Sequence, residues 1–136
     1  MSEQKRIIID GTNATLGRVA SYIAKQALLG KSVVIVNCNQ IIITGNRASV
    51  IKEFQEARGR GGSSLRGPHF PKSAERIVKR IVRGMLPYTQ ARGEEALDRV
   101  MCYNDTPQEF VAEKKIHAGK EKRGILIKLG ELSKLL

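Results

Sequence analysis

Apolar positions along the chain follow two rhythms, short runs that suit strands and three-four spacings that suit helices, and their order sets the fold class. The run RIIID at Arg6–Asp10 is stopped by the turn formers Gly11, Thr12 and Asn13, which predicts a buried strand. From there Leu16, Val19, Ala20, Ile23, Ala24, Ala27 and Leu28 recur at helical spacing, with Thr15 as N-cap and Gly30 just past the end. Residues 32–38, SVVIVNC, are β-branched and apolar on both alternating faces, as in a central strand covered on each side. Strand, helix and strand make a βαβ unit, whose strands run parallel through a right-handed crossover.

The rest of the chain extends this pattern. Residues 41–44 predict a further short strand ended by Gly45 and Asn46, and residues 47–58 a second helix with Val50, Ile51, Phe54 and Ala57 on one face. Residues 59–71, GRGGSSLRGPHFP, hold four Gly, two Pro and two Arg and predict a basic loop without regular structure. A third helix begins after Ser73 as N-cap, with Glu75 in its first turn, and ends before Pro87. Its buried stripe is Ile77, Val78, Ile81, Val82 and Met85, and its other face carries Arg76, Lys79, Arg80 and Arg83. Ala91–Asp98 gives a short helical turn, residues 100–103 a last strand, residues 114–128 an extended basic tail, and ILIKLGELSKLL a closing strand and short helix. No internal repeat or second boundary interrupts residues 1–136, so the expectation is one three-layer α/β/α domain around a small, mostly parallel sheet. The basic Gly-rich loop at 58–72 and the basic segment at 114–128 are its appendages.

Composition narrows the class. A chain of 136 residues suits one domain that hides roughly two-thirds of its unfolded surface. No apolar run approaches the roughly 18 residues that span a bilayer, and the start MSEQKRIIID is too polar for a secretory signal, so the expected location is the cytoplasm. Cys38 and Cys102 lie in apolar stretches and share no metal-type spacing with His69 or His117, so they read as small packed thiols, and no metal is expected.

Charge changes the picture most. The net charge is +11, and it is concentrated: residues 58–83 carry eight Lys or Arg against one Glu, a local +7, and residues 114–128 carry six against one, a local +5. Residues 84–113 hold six acids against Arg92 and Arg99. Basic blocks beside an acidic region suit a polyanion partner better than a uniformly solvated surface.

Motifs for other chemistry fail when tested. GTNATLGR sits where a phosphate-cradling turn would, but five residues separate Gly11 from Gly17 where a P-loop needs four, and Arg18 is not followed by Ser or Thr. GxGxxG is absent, and Gly30-Lys31-Ser32 lies at a helix-to-strand junction with Lys25 where the first glycine should stand. Both histidines fall in predicted loops or tails without a positioned partner, so no catalytic residue is assigned. Asp10 occupies a strand end that is functional in some α/β folds, yet it reads more simply as a turn residue accepting local hydrogen bonds. The basic loop is different: Arg58, Arg60 and Arg66 among glycines can approach phosphate closely, and His69 and Phe70 can stack on an unpaired base. With aromatic residues at 4%, phosphate neutralisation is the main theme.

Five stretches in order, GTNATLGRVASYIAK, VVIVNCNQIIITGN, RGPHF, RIVKRIVRGMLP and ALDRVMCYNDTP, resemble the L-thirteen family of large-subunit ribosomal proteins, with RGMLP from Arg83 to Pro87 the most specific. RGPHF and the ending LGELSKLL resemble the archaeal form, which is close to the eukaryotic one; the long helical extension of eukaryotic relatives has no counterpart in this sequence. The resemblance implies the α/β/α domain, binding to large-subunit ribosomal RNA beside neighbouring large-subunit ribosomal proteins, and a role early in subunit assembly. It implies no catalysis, no cofactor, no small-molecule substrate and no membrane. The expected RNA-facing set, from the resemblance and the basic segments, is Arg58, Arg60, Arg66, His69, Lys72, Arg76, Lys79, Arg80, Arg83, Lys120, Lys122 and Arg123, with Met85 expected to pack inward. Two other classes remain open on the residues: a regulator binding messenger RNA outside the ribosome, which the same basic surface would serve, and an RNA-modifying enzyme, which would need a pocket and a cofactor.

Overall fold

The computed structural model describes residues 6–59, 73–111, 115–117 and 126–135, and at 58 and 59 the backbone alone. Three short strands form the central sheet, β1 (Arg6–Asp10), β2 (Ser32–Val36) and β4 (Val100–Cys102), in the order β1-β2-β4 and all parallel. Helix α1 (Leu16–Leu28) crosses between β1 and β2, completing the βαβ unit that the apolar pattern predicts. Strand β3 (Ile42–Thr44) does not join this sheet. It pairs antiparallel with β5 (Leu126–Lys128), so the chain's late segment closes on its middle. The remaining helices are α2 (Arg47–Gly59), α3 (Ala74–Gly84), α4 (Ala91–Asp98), a single turn α5 (Gln108–Val111) and α6 (Leu129–Leu135).

Side-chain alternation divides the central sheet into two unequal faces. Ile7, Ile9, Val33, Ile35, Val100 and Cys102 look toward the helical side, where α1 and α3 bury Val19, Ile23, Ala27, Ile77, Val78 and Val82 against them. Ile8, Val34 and Val36 look the other way and meet Phe110 of α5, with Tyr103 beside it and the Arg6 guanidinium 5.1 Å from the Phe110 ring centre. The third layer is therefore thin among the described residues: one helical turn, one aromatic pair and one cation–π contact.

Local details differ instructively from the pattern. Residues 37 and 38 leave the second strand because Asn37 turns left-handed at φ 59° and starts a 3-10 turn over Cys38–Gln40. Asparagine tolerates that conformation when its side chain bonds locally, and here its amide joins Asp10 to Thr106. Ser73 does precede α3, but its hydroxyl makes no cap; the Glu75 N–H is met at 3.0 Å by Asn104 Oδ1, a residue 29 positions on. Ile81 is only half-buried, and Met85 is 43% exposed rather than packed inward. The helix stops at Gly84, which leaves Met85 facing Leu28 and Leu29 at the overhanging end of α1, across a shallow groove that also holds Ser21, Ala24 and Lys25.

Candidate nucleic-acid interface

Helix α3 builds the one part of the predicted site that lies within the described residues. Its apolar residues Ala74, Ile77, Val78 and Val82 are buried, so residues 76, 79, 80 and 83, at i, i+3, i+4 and i+7, share the opposite face. Arg76 and Arg83 are exposed and Arg80 is half-buried. Lys79 is used differently from its neighbours: Nζ donates to the Val100 carbonyl at 2.8 Å, which ties the helix to the edge strand. The outward strip is thus three arginines, with Lys79 as a brace beneath it.

The strip ends in an unusual turn. After Gly84 the backbone folds tightly, with Met85 N–H donating to Val82 O and Leu86 N–H to Arg83 O, and Tyr88 N–H donating to Leu86 O at 2.8 Å. Gly93, buried in the first turn of α4, lets that helix rest directly on the Pro87–Tyr88 peptide; a Cβ at 93 would collide with the Pro87 carbonyl group. Tyr88 is thereby fixed beside the helix end, and the Arg83 guanidinium lies over its ring, 4.3 Å from the centroid. Arg80, Arg83, Gly84 and Tyr88 line a concavity of about 170 Å³ at this end.

Other polar residues near the sheet's carboxyl ends are occupied within the protein. Asp10 Oδ1 accepts from Thr12 N–H at 3.0 Å, Thr12 Oγ1 at 2.7 Å and Asn37 Nδ2 at 3.0 Å. Burial pushes the Asp10 carboxyl up, but the hydrogen bonds from Asn37 and Thr12, with His117 nearby, outweigh it and hold the group below its ordinary range. The exposed His117 lies 3.9 Å away and adds a full ion pair only when protonated, so the hydrogen bonds dominate. Asp10 is the turn residue that its sequence context suggests. Cys38 is buried, and its hydrogen bond with Cys102, together with burial, pushes its thiol far up, which leaves it un-nucleophilic. Among the described residues no three His, Cys, Asp or Glu converge as metal ligands, and no helix is long and apolar enough to cross a membrane.

The other cations assigned from the sequence, Arg60, Arg66, His69, Lys72, Lys120, Lys122 and Arg123, lie outside the described residues, as does the side chain of Arg58. Two residues of the turn carry no mark in the sequence reading: Tyr88, one position beyond RGMLP, and Gly93. The signal for Tyr88 was an aromatic residue five places after an arginine, which acquires meaning only once the turn brings the two together.

Residues 4–109, which span the βαβ unit, the basic loop, α3 and the turn after it, match the family model described as ribosomal protein L13. The chain belongs to the ribosomal protein L13 family. Curated relatives agree along its length. Large ribosomal subunit protein uL13 of Methanosarcina barkeri is 46% identical over 104 residues, covering 76% of this chain and 74% of that one. Its counterpart in Picrophilus torridus is 40% identical over 133 residues and 96% of both chains, and that of Methanocaldococcus jannaschii 40% identical over 132 residues, 95% and 96%. The sheet and helices display the α/β architecture expected from the sequence, and these relatives are archaeal, as the resemblance of RGPHF and LGELSKLL implies.

Proposed function

We propose that this L13-family chain is a structural constituent of the large ribosomal subunit that binds large-subunit ribosomal RNA through the α3 arginine strip, the basic 58–72 loop and the basic 114–128 segment, and that it joins the subunit early in assembly. The observation that carries the reading is the Arg76, Arg80 and Arg83 strip, set outward on a helix whose opposite face is locked into the core. Guanidinium groups suit phosphate because their planar donors can engage two oxygens at once, and a rigid helix presents them at fixed spacing. The names of the relatives support the ribosomal setting, with its RNA and neighbouring proteins as partners in the cytoplasm. The role is structural, with no reaction, metal or cofactor assigned. Arg58, Arg60, Arg66, His69, Lys72, Lys120, Lys122 and Arg123 are assigned to RNA binding from the sequence alone.

The test is triple charge reversal, Arg76→Glu, Arg80→Glu and Arg83→Glu, in the full chain. The variant is expected to keep its secondary structure and to be lost from large subunits washed at high salt, with sucrose-gradient sedimentation as the readout. Undiminished retention of a folded variant would refute the assigned surface.

A further inference from the structure

Among the described residues, nothing in its conformation or packing requires position 84 to be glycine. Gly30 sits at φ +92°, where side chains are strained, and Gly93 is pressed against the Pro87 carbonyl. At Gly84 the backbone lies outside the left-handed region, and among the described residues a Cβ would meet nothing within 4 Å. Glycine is among the poorest helix residues, so alanine here would favour α3. Among the described residues the bare backbone at this helix end is uncovered, so it is open to a partner.

What surrounds it suggests the visitor. Gly84 floors the concavity whose walls are Arg80, Arg83 and Tyr88. Its volume of about 170 Å³ is below the roughly 300–1,000 Å³ of a drug-sized ligand pocket, the scale of a small anionic group. The C-terminal end of α3 carries about half a negative charge, which would repel an anion, and the exposed Arg83, with the half-buried Arg80 beside it, opposes that repulsion. The Arg83 guanidinium carbon lies over the Tyr88 ring, 4.3 Å from its centre, an attraction that restrains the side chain beside the helix end.

We propose that Arg80, Arg83, Gly84 and Tyr88 form a subsite for a single backbone phosphate of RNA. Gly84 stays bare so that the ribose-phosphate chain can lie against the helix end, and Tyr88 is a positioning residue that aims Arg83. The subsite rests on the RNA-binding reading above and adds two uncharged residues to it, which makes the two separable.

The experiment compares the wild-type chain with G84A, Y88L and Y88F, all of equal charge, by thermal melting and by filter binding to protein-free large-subunit ribosomal RNA from an archaeon across a salt series. G84A is expected to melt no lower than wild type yet to bind roughly tenfold to a hundredfold more weakly, the range associated with losing a hydrogen bond to a charged group. Y88L should lose a similar factor with its salt slope unchanged, and Y88F should restore binding. Wild-type affinity in both G84A and Y88L would overturn the subsite while leaving the arginine strip standing, and a lower melting temperature in G84A would overturn it in favour of a packing role. Normal RNA binding combined with weaker retention in assembled subunits would also overturn it, because the anion would then be a carboxylate of a neighbouring protein. Absence of RNA binding by the wild-type chain would bring down the RNA-binding reading and this one with it.

Discussion

At the scale of single residues, side chains in this protein divide into those turned inward as braces and those left to face a partner, and charge alone does not separate them. Lys79, Arg99 and Lys128 are cations, yet each donates to an internal acceptor: the Val100 carbonyl, the Ala27 carbonyl at the end of α1, and Gln40 Oε1. Arg76 and Arg83 project outward. Sequence periodicity puts Lys79 and Arg80 on one face and cannot say that one reaches a strand's edge carbonyl, because that depends on how closely β4 approaches. Asp10 was legible, since a carboxylate before Gly-Thr-Asn has turn N–H groups within reach; its third bond, from Asn37, was not, being set by strand register. A pH dependence follows. Because the folded-state pKa lies below the unfolded value, the stabilisation is present above the unfolded value and disappears as pH falls through the folded one. Asp10→Asn should therefore cost about 1 kcal/mol at neutral pH, and its difference from wild type should shrink below about pH 4, as urea melts across the acid range would show. A constant difference down to the acid limit would contradict the assignment.

At the scale of elements, the strands and helices predicted from apolar spacing are present, and their ends are where the reading and the structure part. The α1 and α3 stripes follow the 3.6-residue repeat where each helix packs on the sheet, and the predicted α1 stripe ends at Ala27, since Leu28 is 42% exposed at the helix end. The predicted stripe of α3 fails at its last position, Met85, which is 43% exposed. Ile81 is partly buried and packs against the margin of the core, while Met85 lies beyond the helix because the chain turns after Gly84. Ile77→Ala, at a site with 0% exposure, should cost about 2–5 kcal/mol, and Ile81→Ala, half-buried, clearly less. Thermal melts of the two variants check the order, and equal losses would mean that the helix is rotated relative to the sheet. The pairing of β3 with β5 rather than with the central sheet was invisible in sequence, because a three-residue apolar strand carries no information about its partner. The cap of α3 by Asn104 was hidden for the same reason: it joins residues far apart in the chain.

For the whole molecule, the βαβ core acts as a frame that orients cations, and the net charge of +11 is displayed from it unevenly. The class of partner was legible in the sequence, since two segments carry more than the entire excess charge and no nucleotide or catalytic motif competes with them. The shape of the phosphate subsite was not, because it arises where a helix end, a tight turn and the start of a second helix meet. Counterion release links the number of neutralised phosphates to the salt dependence of binding, independently of which bases are present. The most direct measurement is the affinity of the full chain for protein-free large-subunit ribosomal RNA as a function of salt. With about six phosphates engaged, affinity should fall about a thousandfold between 50 and 200 mM monovalent salt. A flat profile, or equal binding by the Arg76, Arg80 and Arg83 reversal, would contradict a cationic RNA-binding surface.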